Sequence, residues 1–204
     1  NGCMGTIGTT SFFFFFFLGC YGDGGAIYTN DSDLAVKIKM VANHGQKEKY
    51  VHDIIGCNSR LDTIQAAVLN VKLPHLDQYC DARRKVADYY DNAFANHPNI
   101  QTPKRVSYSH HVFHQYNLVL HNVDRDTVKK DLEEAGIPSM IYYHIPTHRQ
   151  KMFESFDVKN LNLEITDWLT DRVLALPIHT EMDEEQLNFI STKFIEIINK
   201  NKTN

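Results

Sequence analysis

A Cys-x-x-Cys pair is missing from this sequence. Its four cysteines, Cys3, Cys20, Cys57 and Cys80, are scattered, which argues against a thioredoxin-like redox motif and a knuckle-type zinc site. A chain of this length has no need of disulfide staples, so the thiols read as free cysteines of a reducing compartment, the cytoplasm. Concentrated positive charge is equally scarce. With 21 basic against 25 acidic residues, a net charge of −4 and no basic run longer than Arg83-Arg84-Lys85, the electrostatic footprint for nucleic acid or an anionic membrane surface is lacking. The longest apolar run, Phe12 to Leu18, falls far below the ~18 residues of a bilayer span. No G-x-S-x-G elbow, H-E-x-x-H helix or EF-hand loop occurs, so the common hydrolase and metal signatures fail. His110, His111 and His114 lie close together with His121 beyond them, yet no carboxylate or cysteine nearby completes a tetrahedral set, and no metal is expected.

What is present is a core. At 204 residues, 43% apolar and 23% charged, the chain can bury the interior of one or two domains. Its composition is uneven. Residues 1–30 hold seven of the ten glycines and six of the twelve phenylalanines with a single charge, Asp23; such a segment is expected to be covered, and the chain reads as starting inside a domain of a larger protein. From Asn30 onward the pattern is amphipathic. Asp31 or Ser32 caps a helix with Leu34, Ile38, Val41 and Ala42 on one face, closing near Asn43-His44-Gly45. Leu61, Ile64, Val68 and Val71 mark a second helix ended by Pro74, and a third, from about Tyr79 to Ala95, reads as a connector between domains.

The second half reads as a small α+β domain. Residues 112–121 alternate with period two, predicting a strand. A helix follows from Arg125 to Ala135 with Gly136 closing it. Ser139 to Tyr143 reads as a second strand, a helix lies near Thr166 to Val173, and Ala175 to Ile178 as a short strand. Asp183-x-x-Gln186 opens a last helix as a capping-box variant, with Leu187, Ile190, Phe194 and Ile197 on one face.

Three stretches carry chemistry. The glycine-rich segment Gly19 to Ala26 joins two core segments, the first of them strand-like; it suits either a phosphate cradle or a structural turn, and it lacks the G-x-G-x-x-G order and the lysine of a P-loop. Asn58-Ser59-Arg60-Leu61-Asp62 opens a helix with amide, hydroxyl and guanidinium groups together, which fits anion recognition. Plain capping with an Arg60–Asp62 pair fits equally. Tyr142-Tyr143-His144 with His148-Arg149 gathers aromatic and basic groups after a strand, as a substrate pocket or a solvated loop would.

Taken in order, S-F-F-x-x-x-x-L-G-C-Y-G-D-G-G-A at 11–26, A-N-H-G-Q at 42–46, G-x-N-S-R-L-D-T-I-Q-A-A at 56–67, Gln115-Tyr116, G-I-P-S at 136–139 and L-P-I-H at 176–179 resemble the DegT/StrS-type family of pyridoxal-phosphate (PLP) sugar aminotransferases. The resemblance implies an α/β fold. Residues 1–78 would be the C-terminal part of the large domain of a fold-type-I PLP-dependent transferase, 79–97 a connecting helix and 98–204 a small C-terminal α+β domain. It also implies PLP as cofactor, a homodimer with shared active sites, a keto-sugar nucleotide (UDP- or dTDP-linked) as substrate, glutamate as amino donor, and a place in surface polysaccharide or amino-sugar biosynthesis. Ser11 would lie beside the cofactor phosphate, and Asn58 would reach the phosphate of the neighbouring subunit. Arg60, Tyr143 and His148 would contact the nucleotide sugar.

The family's Schiff-base lysine sits in S-F-F-P-S-K-N-L-G, which aligns without a gap on Ser11 to Gly19. That lysine holds PLP and shuttles a proton. Here Phe14-Phe15-Phe16-Phe17 replaces P-S-K-N, and Phe16 takes the lysine's place. A phenylalanine can neither form an imine nor carry a proton. The run marks either a corrupted stretch of an ordinary aminotransferase or a lysine-less relative, inactive alone or pairing with an intact copy.

Overall fold

Two four-residue segments of mostly small and β-branched residues near the start of the chain, G-T-T-S and G-A-I-Y, form an antiparallel ladder. Strand β1 (Gly8–Ser11) pairs with β2 (Gly25–Tyr28), with Gly8 opposite Tyr28 and Ser11 opposite Gly25. The computed structural model describes residues 4–13, 16–156, 158 and 161–203, so Cys3, Phe14 and Phe15 lie outside the described residues. The chain divides into two compact units, 1–78 and 79–204.

In the first unit, helix α1 (Ser32–Ala42) starts where the Asp31 carboxylate accepts from the amides of Asp33 and Leu34, satisfying two of the donors that a helix start leaves open. It packs on the short pair β3 (Gln46–Glu48) and β4 (Val51–His52). Helix α2 (Thr63–Lys72) is capped by Asp62, whose carboxylate accepts from the Ile64 amide. A 3₁₀ turn with Pro74 follows at Leu73–His75.

The second unit holds the hydrophobic core. Helix α3 (Leu76–Phe94) turns Val86, Ala87, Tyr90 and Phe94 inward. Strands β5 (Ile100–Gln101), β6 (Tyr116–Leu120) and β7 (Val173–Leu176) form an antiparallel sheet in the order β5-β6-β7. Helices α4 (Arg125–Glu134) and α6 (Glu184–Lys200) pack on each other; α5 (Glu164–Thr170) precedes β7. The period-two pattern is realised in β6, where Tyr116, Leu118 and Leu120 are buried and Asn117 and Val119 half-buried. Gly136 adopts φ +76° just beyond α4, the left-handed conformation that favours glycine after a helix. Asp183 and Gln186 form the capping box of α6, and Leu187, Ile190, Phe194 and Ile197 are its buried side. Phe94 meets Phe194 edge-on at 5.3 Å and stacks on Tyr90 at 5.7 Å, contacts worth about 0.5–1.5 kcal/mol each beyond their area.

Several expectations are corrected. The strand expected over 112–121 shrinks to Tyr116–Leu120, because Phe113 has φ +51° and the Arg83 guanidinium takes the His114 carbonyl at 3.0 Å. Ser139 to Tyr143 is no strand. Only Met140 bridges Ala175, while Pro138, just upstream, has no amide hydrogen to donate and the chain turns at Tyr142 and Tyr143. The cover expected for residues 1–30 is that of a larger protein, and the exposure of Ile7, Phe13, Tyr21 and Ile27 here, beside a fully buried Cys20, does not contradict it. The stripe expected to pack α2 does so only in part. Ile64 and Val71 are each 71% exposed, and the buried position is Leu69.

Candidate active site

Position 16 sits on a loop whose neck is tied by backbone. The Phe12 amide donates to the Gly24 carbonyl at 2.8 Å, and the Cys20 amide donates to the Phe12 carbonyl at 2.8 Å. The buried Cys20 thiol lies 3.1 Å from the same Phe12 oxygen and 3.0 Å from that of Gly22. Ser11, at the end of β1, accepts from the Phe13 amide through Oγ at 3.1 Å; as an acceptor it keeps its own proton to donate. Within the loop the Phe16 amide donates to the Phe13 carbonyl at 2.9 Å, and the two rings meet edge-on at 6.1 Å. The Phe16 side chain is 39% exposed. Ser11 and Phe16 thus belong to one loop.

Helix α2 packs against the returning limb of that loop. Gln65 Oε1 accepts from the Tyr21 amide at 2.8 Å, and Lys72 Nζ donates to the Gly19 carbonyl at 2.7 Å while lying 5.0 Å from the centre of the Tyr21 ring. A Cβ on Gly24 would stand 2.8 Å from Leu61 Cδ1, just ahead of α2, and one on Gly25 2.9 Å from the Thr10 carbonyl oxygen of β1, so a side chain crowds the first glycine of the D-G-G-A segment and backbone the second. Gln65 belongs to the N-S-R-L-D-T-I-Q-A-A motif, with no role expected for it, and Lys72 lies outside every motif; their spacing of seven, two helical turns, is the signal that puts them on one side of α2.

Asn58 and Arg60 lie just ahead of α2, on a segment bonded to the end of α1. The Cys57 and Ser59 amides donate to the Val41 and Ala42 carbonyls, and the His44 amide returns a bond to Cys57. This zipper needs two glycines. A Cβ on Gly56 would fall 2.1 Å from the Gly45 nitrogen, and one on Gly45, at φ +75°, 1.7 Å from the Ile54 oxygen. Beyond it Arg60 Nε donates to Asn58 Oδ1 at 3.0 Å. Asp62 is engaged as the α2 cap, and Arg60 takes Asn58 as partner. Both residues are exposed, and the bond between them uses only Nε of the guanidinium and the oxygen of the Asn58 amide.

Tyr143 and His148 lie in the second unit. Tyr143 is 70% exposed, its ring edge-on to Tyr142 at 5.6 Å. His148 faces a cavity with Arg149, Phe153 and Leu161, among whose lining residues Tyr143 does not figure. Its Nε2 is buried 3.6 Å from Asp167 Oδ1. Arg149 holds the same carboxylate through Nε and Nη2, and this partnership keeps Asp167 below the usual carboxylate range. Among the described residues no group of three or more His, Cys, Asp or Glu could hold a metal ion, and no helix is long and apolar enough to cross a membrane.

Comparison with known proteins shows what the chain is similar to. A "Pleiotropic regulatory protein" of Geobacillus stearothermophilus is 41% identical over 95% of this chain and 53% of its own length. A UDP-N-acetyl-3-dehydro-alpha-D-glucosamine 3-aminotransferase of Acidithiobacillus ferrooxidans is 42% identical over 94% of this chain and 50% of its own. The crystal structure of DesV from S. venezuelae, in complex with a ketimine intermediate, superposes with a TM-score of 0.88 at 31% identity, over 95% of this chain and 52% of DesV. The chain spans about half the length of the curated relatives it matches. The model of the DegT/DnrJ/EryC1/StrS aminotransferases, a PLP-dependent family, matches residues 1–194, and to that family this chain belongs.

Proposed function

We propose that this chain is part of a PLP-dependent aminotransferase that converts a keto-sugar nucleotide, UDP- or dTDP-linked, to the amino sugar. Glutamate is the amino donor, in a cytoplasmic homodimer with shared active sites that serves surface polysaccharide or amino-sugar biosynthesis. The observation that carries the reading is the tied loop of residues 12–24, with Ser11 at its start and α2 against its return. The residues fit the cofactor in one respect and not in another. Ser11, with a hydroxyl proton to donate, and Asn58 with its amide suit a phosphate, and Arg60, held by Asn58, suits the diphosphate of a nucleotide. Position 16 offers a phenyl ring where covalent attachment needs an amine. When bound, PLP supplies a carbonyl that receives the donor's amino group and an electron sink for the proton transfer that follows.

Tyr143 and His148 contact the sugar nucleotide in this reading; the cavity that His148 lines with Arg149 supports it for His148. A second reading follows from Phe16 itself. A chain with the Asn58–Arg60 pair intact and no amine at residue 16 suits a non-catalytic partner that lends these two side chains to an intact copy.

The test is restoration. Phe14 to Phe17 are replaced by Pro-Ser-Lys-Asn in the chain joined to the amino-terminal half of the Acidithiobacillus relative, and the product is treated with PLP and borohydride. The expected result is a reduced pyridoxyl group on residue 16 together with transamination, and neither in the phenylalanine version, since loss of a general base alone costs ~10²–10⁴ in rate. A restored protein that traps no cofactor there, or a phenylalanine version that transaminates equally well, overturns the proposal.

A further inference from the structure

We propose that Gln65 and Lys72 are the positioning residues of the loop that carries residue 16. The inference rests on the reading of that loop as the Schiff-base segment. Gln65 and Lys72, seven residues apart, lie on one side of α2, and Leu61 stands just ahead of the Asp62 cap. All three meet the limb from Gly19 to Gly24: Leu61 packs at Gly24, Gln65 accepts the Tyr21 amide at 2.8 Å, and Lys72 donates to the Gly19 carbonyl at 2.7 Å. Tyr21 closes the arrangement by offering its ring to the Lys72 ammonium at 5.0 Å, a cation–π contact that keeps the charge over the limb.

Gly19 and Tyr21 flank Cys20, whose amide and thiol both reach the Phe12 oxygen. The hold on the returning limb is therefore passed across the neck to the outgoing limb. Residue 16 lies between the two limbs. With no regular structure at Phe12 and Phe13 or from Phe16 to Gly24, this stretch lacks the ladder or helix bonds that would otherwise fix its backbone. The two long side chains of α2 supply that fixation. They also couple residue 16 to Asn58 and Arg60, because the helix that carries Gln65 and Lys72 begins just after them.

The experiment is amide hydrogen exchange read residue by residue on this chain, unaltered at Phe16. Gln65→Leu and Lys72→Met each remove one bond at nearly constant shape; Gln65→Glu keeps the acceptor and Lys72→Arg the cation. Exchange of the Cys20 and Tyr21 amides is expected to rise about tenfold in the first pair, the loss of one bond involving a charged or buried group, and to return to the parent rate in the second. Amides of α6 serve as the internal reference for an intact fold. Unchanged Cys20 and Tyr21 exchange in both removal variants overturns the proposal, as does failure of both conservative variants to restore it. If Lys72→Met does not fold, the Gln65 pair decides alone. Borohydride trapping in a Phe16→Lys background gives a separate readout: a clamped loop is expected to give several-fold more pyridoxyl adduct at residue 16 than the same protein with Gln65→Leu. No adduct in either protein argues against the Schiff-base reading and leaves the exchange result to judge the clamp.

Discussion

Gly56 faces Gly45 so closely that a methyl group on it would stand 2.1 Å from the Gly45 amide nitrogen. The obstacle is backbone and cannot swing aside, so Gly56→Ala is expected to force the 56–60 segment off the end of α1. Overpacking of this kind costs about 1–3 kcal/mol. A urea titration followed by amide exchange in the first unit checks it: exchange of the Cys57 and Ser59 amides should rise, and amides of α6 in the second unit should not change.

How much of this was legible beforehand follows from where each element takes its instructions. Helices α1, α4 and α6 carry theirs locally, in Asp31, Asp124 and the Asp183–Gln186 box, and their limits fall within a few residues of expectation. Ser139 to Tyr143 has apolar residues in the right number, but only Met140 finds a partner on β7, and pairing is a long-range fact. The stripe of Ile64 and Val71 follows helical periodicity and still faces outward, because Gln65 and Lys72 are held by backbone of the hairpin loop. Polar contacts to backbone leave no trace in an apolar pattern. In the candidate site, the glycine-rich segment and the Asn58–Arg60 stretch stood out by composition, whereas the pairing of Arg60 with Asn58 in place of Asp62 required the fold.

Phe194 is fully buried against Phe94 in the core of the second unit. Phe194→Ala removes a ring and leaves a cavity among side chains that relax only partly. The expected loss is about 3–5 kcal/mol, read as a lower urea midpoint for the second unit. Phe189, exposed on the same helix, is the control, and its alanine variant is expected to stay within about 0.5 kcal/mol of the parent.

Burial, and then the Arg83 guanidinium beside it, lowers the pKa of His114 below its ordinary value of 6.5. The unfolded chain therefore binds a proton here that the folded chain refuses, between the lowered folded value and 6.5. Stability of the second unit is expected to fall as pH drops through that window and to be restored above it. Urea midpoints across mildly acidic pH check the direction, and His114→Gln should flatten the profile there. A slope of the opposite sign rejects the assignment.

Ile55 is 97% exposed, and Ile64 and Val71 stand two turns apart on the outer side of α2. Exposed apolar groups of this size favour association. The chain is expected to elute from a sizing column as a dimer or larger species, and the double variant Ile64→Glu, Val71→Glu to shift toward the monomer. A parent chain that stays monomeric at high concentration contradicts this.

Arg60 is held through Nε by Asn58, which leaves its two terminal nitrogens for an anion. In the restored, active protein, Arg60→Ala is expected to raise the KM for the nucleotide sugar about tenfold, the loss of a hydrogen bond to a charged group. The KM for the amino donor should change little. The split arises because a contact to a diphosphate far from the reacting carbon is made equally in ground and transition states, so its removal weakens binding with kcat nearly unchanged. Arg60→Lys should recover part of the affinity, since charge survives while the planar two-pronged donor does not. Steady-state kinetics with each substrate varied in turn decides the matter: equal effects on the two KM values, or a fall in kcat alone, would make Arg60 a support for Asn58 and not a contact to substrate.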